Sequence, residues 1–296
     1  MGGGIAQAGG GSLNESGRGM GMQLVTLPAG ARVAALGQGT WELEKGDRGE
    51  AVKALRLGLD LGMTLIDTAE MYGEGKVEEI VGEAIGGRRE EVFLVSKAYP
   101  WHGAKAALAE AARRSLKRLK TDRIDLYLLH WRGGVALAET VEGMEALRRK
   151  GAIRHWGVSN FDVADLAELT ALAGGGAVQT NQVLYNLAKR GIEWGLLPWC
   201  RERRIPIMAY SPFDQGPLPR KKALAEIARR HGVWPATLAL AWILSRKDMI
   251  VIPKAAKLDH VRQNHAALAL KLTERDLADL DAAFPPPDGP KALEMA

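Results

Sequence analysis

The chain has 296 residues, 47% of them hydrophobic, which is enough apolar material for a large core. Its formal net charge is +5, but the basic residues are scattered in short pairs, which argues against nucleic-acid binding. No apolar stretch approaches the roughly 20 residues that span a bilayer, no secretory signal pattern opens the sequence, and Cys200 is the only cysteine. We therefore expect a cytoplasmic protein with no membrane or nucleic-acid partner.

The first segment of the chain, residues 1–22, is rich in glycine and has almost no apolar periodicity. It cannot bury enough surface to offset the entropy lost on ordering, so we predict that it is disordered. Residues 23–296 are predicted to form a single domain. This domain begins with a β-hairpin over residues 23–36, whose turn lies at Pro28 to Gly30.

From residue 23 onward, a short apolar run, a polar residue, a loop and an amphipathic helix recur at intervals of roughly 25 to 35 residues. The apolar runs are residues 32–41, 63–69, 92–97, 124–130, 153–160, 177–182, 205–212 and 250–254. Eight strands with helical crossovers favour a closed (β/α)8 TIM barrel of the α/β class over an open sheet. The N-terminal β-hairpin is expected at the bottom of this barrel.

Polar residues end most of these runs and are therefore expected at the C-terminal mouth of the barrel, where barrel enzymes keep their chemistry. They are Asp67, Lys97, His130, Asn160, Gln182, Tyr210 and Lys254. An ionised carboxylate at the edge of a core is costly unless it is paired. Lys97 ends the neighbouring strand and is the expected partner of Asp67.

The segment LIDTAEMYGEG, residues 65–75, also places Glu70 and Tyr72 in the turn after Asp67. A neighbouring ammonium group is expected to lower the pKa of Tyr72 from about 10, which would make its hydroxyl a better proton donor. His130 is placed to donate a hydrogen bond to a carbonyl oxygen and orient it. This set of side chains suits carbonyl reduction.

Seven motifs occur in order along the chain: IDTAEMYG, VSK, LLHW, GVSNF, NQVLYN, AYSP and VIPK. Together they resemble those of the aldo-keto reductases, a barrel family, over about residues 23–284. The resemblance implies an NADPH-dependent enzyme that reduces small aldehyde and ketone substrates to alcohols by hydride transfer. It implies that the catalytic residues are Asp67, Tyr72, Lys97 and His130, with Tyr72 as the general acid.

The same resemblance implies a cofactor extended across the barrel mouth. Ser159, Asn160 and Gln182 would hold the nicotinamide carboxamide, and the ring of Tyr210 would stack on the nicotinamide. The other implied contacts are Gly39 and Thr40 near the nicotinamide half, Ser211, Phe213, Gln215 and Gly216 across the pyrophosphate, and Lys254, His260, Gln263 and Asn264 at the adenosine end. Many relatives carry an arginine at the position of His260, so we expect a moderate preference for NADPH over NADH that strengthens at lower pH.

Three tryptophans in the loops after strands predict an aromatic wall for the substrate, namely Trp41, Trp101 and Trp131. His102 and Arg132 lie beside two of them and are expected to favour polar or anionic substrates. Only nine residues follow Pro287, so we expect an open site with broad specificity.

Other readings of these residues exist. A Lys–Asp pair at strand ends is often structural, and a lone histidine is more often a core residue than a catalytic one. A metal-dependent barrel hydrolase is disfavoured because the six histidines form no His-x-His pair, so no metal is expected. A non-catalytic barrel that binds the nicotinamide cofactor and acts as a partner subunit remains the alternative. The sequence does not fix the oligomeric state, although a monomer is slightly favoured.

Overall fold

The structure, a computed structural model, describes residues 22–296. Residues 1–21, nearly all of the segment predicted to be disordered, lie outside the described residues. The described residues contain ten strands: β1 Leu24–Thr26, β2 Arg32–Ala34, β3 Gln38–Gly39, β4 Leu65–Asp67, β5 Phe93–Ala98, β6 Ile124–Leu129, β7 Ile153–Ser159, β8 Asn181–Leu184, β9 Ile207–Tyr210 and β10 Met249–Val251.

In the same part of the chain, ten α-helices connect and follow these strands. They are α1 Arg48–Asp60, α2 Lys76–Ala84, α3 Lys105–Leu119, α4 Leu137–Arg149, α5 Val163–Ala171, α6 Leu196–Glu202, α7 Lys222–Arg230, α8 Pro235–Leu244, α9 Leu258–Ala266 and α10 Glu274–Ala283. Asp162 caps α5 and accepts a hydrogen bond from the backbone amide of Asp165 in a capping box. Within residues 22–296, no helix combines the length and the apolarity that crossing a membrane requires.

The strands β3 to β10 form one parallel sheet in chain order. Its two edges are joined by parallel bridges between Leu36 and Val251 and between Gly39 and Lys254, which close the sheet. Strand residues are almost entirely buried, because one face of each strand packs inside the barrel and the other packs against the helices. The (β/α)8 barrel expected from the sequence is confirmed.

The N-terminal hairpin is also confirmed, since β1 pairs antiparallel to β2 with Val25 opposite Val33. Gly30 in its turn has φ 87°, a left-handed conformation that favours glycine. The amide of Ala29 donates to Oε1 of Gln179, which precedes β8, at 2.8 Å. The hairpin therefore lies at the N-terminal end of the barrel, away from the mouth.

The apolar run 32–41 is not the single strand that the sequence predicted. Residues 32–34 pair antiparallel with β1, whereas Gln38 and Gly39 pair parallel with β4. Between residues 34 and 38 the chain therefore changes its pairing from β1 to β4, and Gly37 lies in this segment. A Cβ added at Gly37 would lie 2.7 Å from a side-chain methyl carbon of Leu65, so glycine permits the close approach.

Candidate active site

A cavity of about 710 Å³ opens at the C-terminal ends of the barrel strands. It is lined by most of the residues that the sequence singled out: Gly39, Thr40, Trp41, Asp67, Tyr72, His130, Trp131, Ser159, Asn160, Gln182, Tyr210, Ser211, Phe213, Gln215, Gly216 and Lys254. Strand ends position several of them directly, because Asp67 ends β4, Ser159 ends β7 and Tyr210 ends β9.

Lys97 and Asp67 form the buried ion pair that the sequence predicted. The Nζ of Lys97 donates to Oδ2 of Asp67 at 2.7 Å, to the carbonyl of Thr68 at 2.9 Å and to the hydroxyl oxygen of Tyr72 at 3.0 Å. An ammonium group has three protons, so each one has an acceptor. Burial alone would lower the pKa of Lys97, but Asp67 and Tyr72 together outweigh it and raise that pKa. Lys97 is therefore held as a cation.

The carboxylate of Asp67 has a second donor, Nε2 of Gln182, at 2.7 Å. Burial raises the pKa of Asp67, while Lys97 and then Gln182 act against this rise. Both oxygens of the carboxylate thus accept a hydrogen bond, which compensates for its removal from water. These two donors explain why a carboxylate is tolerated at the end of a buried strand.

The pKa of Tyr72 shifts in the direction opposite to the one expected from the sequence. Burial raises it, and Asp67 adds to the rise, whereas Lys97 only partly opposes it. The sequence reveals the neighbouring ammonium but not how completely the hydroxyl is removed from water. Tyr72 is consequently protonated at neutral pH, and because its oxygen accepts from Lys97, its own proton is available to a molecule in the cavity.

His130 lies beside Tyr72, with the two ring centroids 5.9 Å apart in an edge-to-face arrangement. Burial lowers the pKa of His130 well below its ordinary value, and the charge of Lys97 lowers it further. The imidazole is therefore neutral at pH 7. Its Nδ1 is buried without a hydrogen-bond partner, while the ring lines the cavity.

The residues expected at the nicotinamide carboxamide form one connected group. Asn160 adopts φ 57°, a left-handed conformation that asparagine tolerates, and its Nδ2 donates to the carbonyl of His130 at 3.1 Å. Ser159 donates from its hydroxyl to the carbonyl of Gln182 at 2.8 Å. The hydroxyl of Tyr210 donates to Oδ1 of Asn160 at 2.9 Å, which fixes the tyrosine ring at the cavity wall.

The loop after β9 has an unusual backbone. Ser211, Asp214, Gln215 and Gly216 have φ values of 48°, 52°, 55° and 117°, so three non-glycine residues lie in the left-handed region. Such conformations cost of order 1–3 kcal/mol each and cluster at ligand-binding segments. The loop borders the cavity, in agreement with its expected place in the site.

The expected adenosine-end residues are only partly at the cavity. Lys254 lines it, whereas His260, Gln263 and Asn264 lie on α9 outside its lining. The backbone carbonyl of Gln263 accepts from the hydroxyl of Thr237. Asn264 is 3% exposed, and its Nδ2 is buried without a hydrogen-bond partner among the described residues.

The aromatic wall differs in part from the expectation. Trp41 and Trp131 line the cavity, but Trp101 does not and is 59% exposed. Trp101 instead stacks on Tyr99, with ring centroids 4.3 Å apart, and meets Trp131 edge to face at 6.0 Å. Trp101 therefore packs against Trp131 without lining the cavity itself.

His102 and Arg132, which were expected to favour polar or anionic substrates, are paired with carboxylates. The Nδ1 of His102 lies 2.7 Å from Oε1 of Glu70, and Arg132 pairs with Asp165 and Glu168 on α5. Neither side chain lines the cavity. Nearby carboxylates, which sequence position alone does not reveal, turn both side chains away from the site.

The expected open site is also wrong in one respect, because the C-terminal segment reaches the cavity. Met295 and Ala296 line it, and the amide of Ala296 donates to the hydroxyl oxygen of Tyr210 at 3.3 Å. Sequence reasoning missed several lining residues: Glu42, Met71, Pro212, Ile252, Met295 and Ala296. Glu42 and Met71 could have been predicted, because they adjoin Trp41 and Tyr72 in the sequence. No sequence pattern indicates the C-terminal residues.

Among the described residues 22–296, no group of three His, Cys, Asp or Glu side chains is arranged to hold a metal ion. The chemistry of the cavity is that of a buried cation, a protonated phenol and a neutral imidazole. This combination can donate protons and hydrogen bonds to an oxygen atom that gains negative charge.

Comparison with known proteins identifies the family to which the chain belongs. The model of the Aldo/keto reductase family matches residues 35–284. Methylglyoxal reductase YeaE of Escherichia coli (strain K12) is 48% identical over 283 residues, covering 93% of this chain and 100% of the relative. Glyoxal reductase of Bacillus subtilis (strain 168) is 33% identical over 261 residues, covering 87% and 91%. The chain belongs to the aldo/keto reductase family and is an oxidoreductase, as the sequence motifs predicted.

A solved structure supports the same assignment. The crystal structure of an aldo-keto reductase from Klebsiella pneumoniae in complex with NADPH superposes with a TM-score of 0.91 at 48% sequence identity. The match covers 94% of this chain and 100% of that one.

Proposed function

We propose that the protein is an NADPH-dependent reductase of small, uncharged aldehydes and ketones, with 2-oxoaldehydes such as methylglyoxal as its preferred class. The observation that carries this proposal is the position of Tyr72, whose oxygen accepts from Lys97 and whose side chain lines the cavity. The names of two relatives, methylglyoxal reductase and glyoxal reductase, support the substrate class.

The residues around the cavity fit a nicotinamide cofactor. Buried polar side chains at Ser159, Asn160 and Gln182 suit the amide of a nicotinamide, and Lys254 suits a phosphate. His260, Gln263 and Asn264 on α9 are proposed for the adenosine end. NADPH would supply the hydride, and the Klebsiella pneumoniae relative was crystallised with NADPH.

In this proposal Tyr72 is the general acid. It gives its proton to the carbonyl oxygen as that oxygen gains negative charge, and the phenolate that remains is stabilised by the ammonium of Lys97. Asp67 keeps Lys97 charged and in place. His130, neutral because of burial, donates a hydrogen bond to the same carbonyl oxygen and orients it towards Tyr72.

The charges at the cavity favour neutral substrates. Besides the paired Asp67, the charged residues among the described lining are Glu42 and Lys254. Glu42 lies next to Trp41, while Lys254 is proposed for the cofactor. Glu42 is itself paired with Lys45, so a substrate carboxylate would find no cation free to bind it among the described lining residues.

The proposal is tested by NADPH oxidation with purified protein. Methylglyoxal and 4-nitrobenzaldehyde should be reduced, whereas pyruvate and 4-carboxybenzaldehyde, which carry a carboxylate, should have kcat/KM values lower by about tenfold or more. Turnover of the acids equal to that of the neutral aldehydes would refute the charge preference. Tight NADPH binding without turnover of any carbonyl compound would instead support the non-catalytic partner subunit.

A further inference from the structure

Glu70 lies between Asp67 and Tyr72 in the turn after β4, and the proposed chemistry gives it no role. Its side chain is only 5% exposed, so the carboxylate is almost completely removed from water. A buried carboxylate is retained in a fold when it is well paired, and replacing it leaves its donors without a partner. The donors to Glu70 therefore show what it holds in place.

The donors to its carboxylate come from the loop after β5 and from α3. Oε1 accepts from the backbone amide of Tyr99 at 2.8 Å and from Nδ1 of His102 at 2.7 Å. Oε2 is 3.5 Å from Nη2 of Arg114 on α3. Because a carboxylate only accepts, Nδ1 of His102 carries the proton in this contact. One carboxylate thus binds both ends of the turn formed by residues 99–102.

This turn carries the aromatic support of the substrate wall. Trp101 stacks on Tyr99, and both rings meet Trp131 edge to face, at 6.0 Å and 6.3 Å between centroids. Trp131 lines the cavity and lies 5.0 Å from His130, ring centroid to ring centroid. The turn 99–102 therefore packs against Trp131, the wall residue that contacts His130.

The turn and the Trp131 loop are also in close backbone contact. A Cβ added at Gly133 would lie 2.6 Å from Cβ of Pro100, so the two loops approach as closely as only glycine allows. A shift of the turn would consequently be transmitted to Trp131 by direct packing.

We propose that Glu70 is a positioning residue that fixes the turn 99–102 and, through it, the Trp131 wall of the substrate pocket. The proposal rests on the proposed reductase function, and it adds that Glu70 sets the discrimination between small and bulky aldehydes. A wall that is free to shift makes poorer contact with an aromatic substrate, while a two-carbon or three-carbon aldehyde hardly touches it.

The test compares Glu70→Ala and Glu70→Gln with a control, Glu110→Ala. Glu110 also lies near Arg114, at 3.7 Å from Nη1, but it is on the exposed face of α3 and makes no contact with the turn. Hydrogen exchange by mass spectrometry on peptides spanning residues 98–104 measures the order of the turn without any substrate. Kinetics with methylglyoxal and phenylglyoxal measure the discrimination.

In Glu70→Ala we expect faster exchange in residues 98–104 and a KM for phenylglyoxal raised about tenfold, with kcat and the methylglyoxal KM changed by less than about threefold. Glu70→Gln should lie between this variant and wild type, because an amide oxygen in the place of Oε1 can still accept from Tyr99 and His102, whereas the nitrogen in the place of Oε2 cannot accept from Arg114. Glu110→Ala should match wild type in all measurements.

Unchanged exchange and an unchanged phenylglyoxal KM in Glu70→Ala would overturn the proposal. A fall in kcat that is equal for both aldehydes would also overturn it, since it would place Glu70 in the chemical step. If Glu70→Ala does not fold, His102→Ala removes the side-chain contact from the other partner and should give the same changes in a smaller degree. If wild type reduces neither aldehyde, the proposed function fails, and the exchange measurement still decides whether Glu70 holds the turn.

Discussion

The hydroxyl oxygen of Tyr72 accepts a hydrogen bond from Nζ of Lys97 at 3.0 Å, and the same ammonium lies 4.7 Å from the centre of the tyrosine ring. Burial keeps the phenol protonated, while the ammonium stabilises the phenolate that forms when the proton leaves. The environment of Tyr72 thus keeps the phenol protonated before the reaction, and Lys97 stabilises the phenolate after the proton has left. This arrangement accounts for the presence of a fully buried lysine.

Tyr72→Phe removes only the hydroxyl and should lower kcat by roughly 10²- to 10⁴-fold, the usual contribution of a general acid. The NADPH dissociation constant and the melting temperature should stay close to those of wild type, because the ring remains in place. Steady-state kinetics with methylglyoxal, together with NADPH titration, check both parts. Nearly normal turnover in this variant would exclude Tyr72 as the proton donor.

Lys97→Met should be both inactive and unstable. It leaves the buried carboxylate of Asp67 without its cation, and breaking a buried pair from one side costs about 3–5 kcal/mol. Denaturant unfolding measures this loss. The double variant Asp67→Leu, Lys97→Met is the matched control, and it should recover part of the stability but none of the activity. A single variant as stable as wild type would contradict the ion pair.

His130 should make the protein less stable in acid. Its pKa is well below 6.5 in the fold because of burial, so below pH 6.5 the unfolded chain binds a proton that the native state does not. Stability therefore falls as the pH drops through this range, by up to about 1.4 kcal/mol per pH unit. His130→Gln should lose less stability than wild type between pH 7.5 and 5.5. An exposed control, His260→Gln, should follow wild type, and equal losses in all three proteins would rule out this origin.

Those parts of the site that depend on strand periodicity and on charge pairing could be predicted from the sequence. Asp67 and Lys97 end adjacent apolar runs, and neither charge is tolerated there alone, so their contact follows from physical chemistry. The general barrel topology follows in the same way from eight alternating units. Strand bounds were less certain: Gln182 was expected to end its strand but is the second residue of β8.

The errors concern side-chain direction and long-range contacts. Trp101 was placed in the wall from its position in a loop, but the turn directs it outward onto Tyr99. The C-terminal segment reaches the cavity because Lys189 pairs with Glu294 at 2.6 Å and Arg190 donates to the carbonyl of Phe284. These partners are separated by about a third of the chain, and no local pattern connects them.

Lys254 should give NADPH a moderate advantage over NADH. Its side chain is exposed at the cavity and its backbone, not its ammonium, makes the bridge to Gly39 that closes the barrel. Lys254→Ala therefore removes a charge for the 2′-phosphate without removing a barrel contact, and it should weaken NADPH binding about tenfold while leaving NADH binding unchanged. The NADPH advantage is also expected to be larger at pH 6 than at pH 8. Dissociation constants for both cofactors at both pH values measure this, with Lys257→Ala as a control for a nearby exposed lysine. Equal affinity for the two cofactors in wild type, unaltered in Lys254→Ala, would show that this lysine does not select the cofactor.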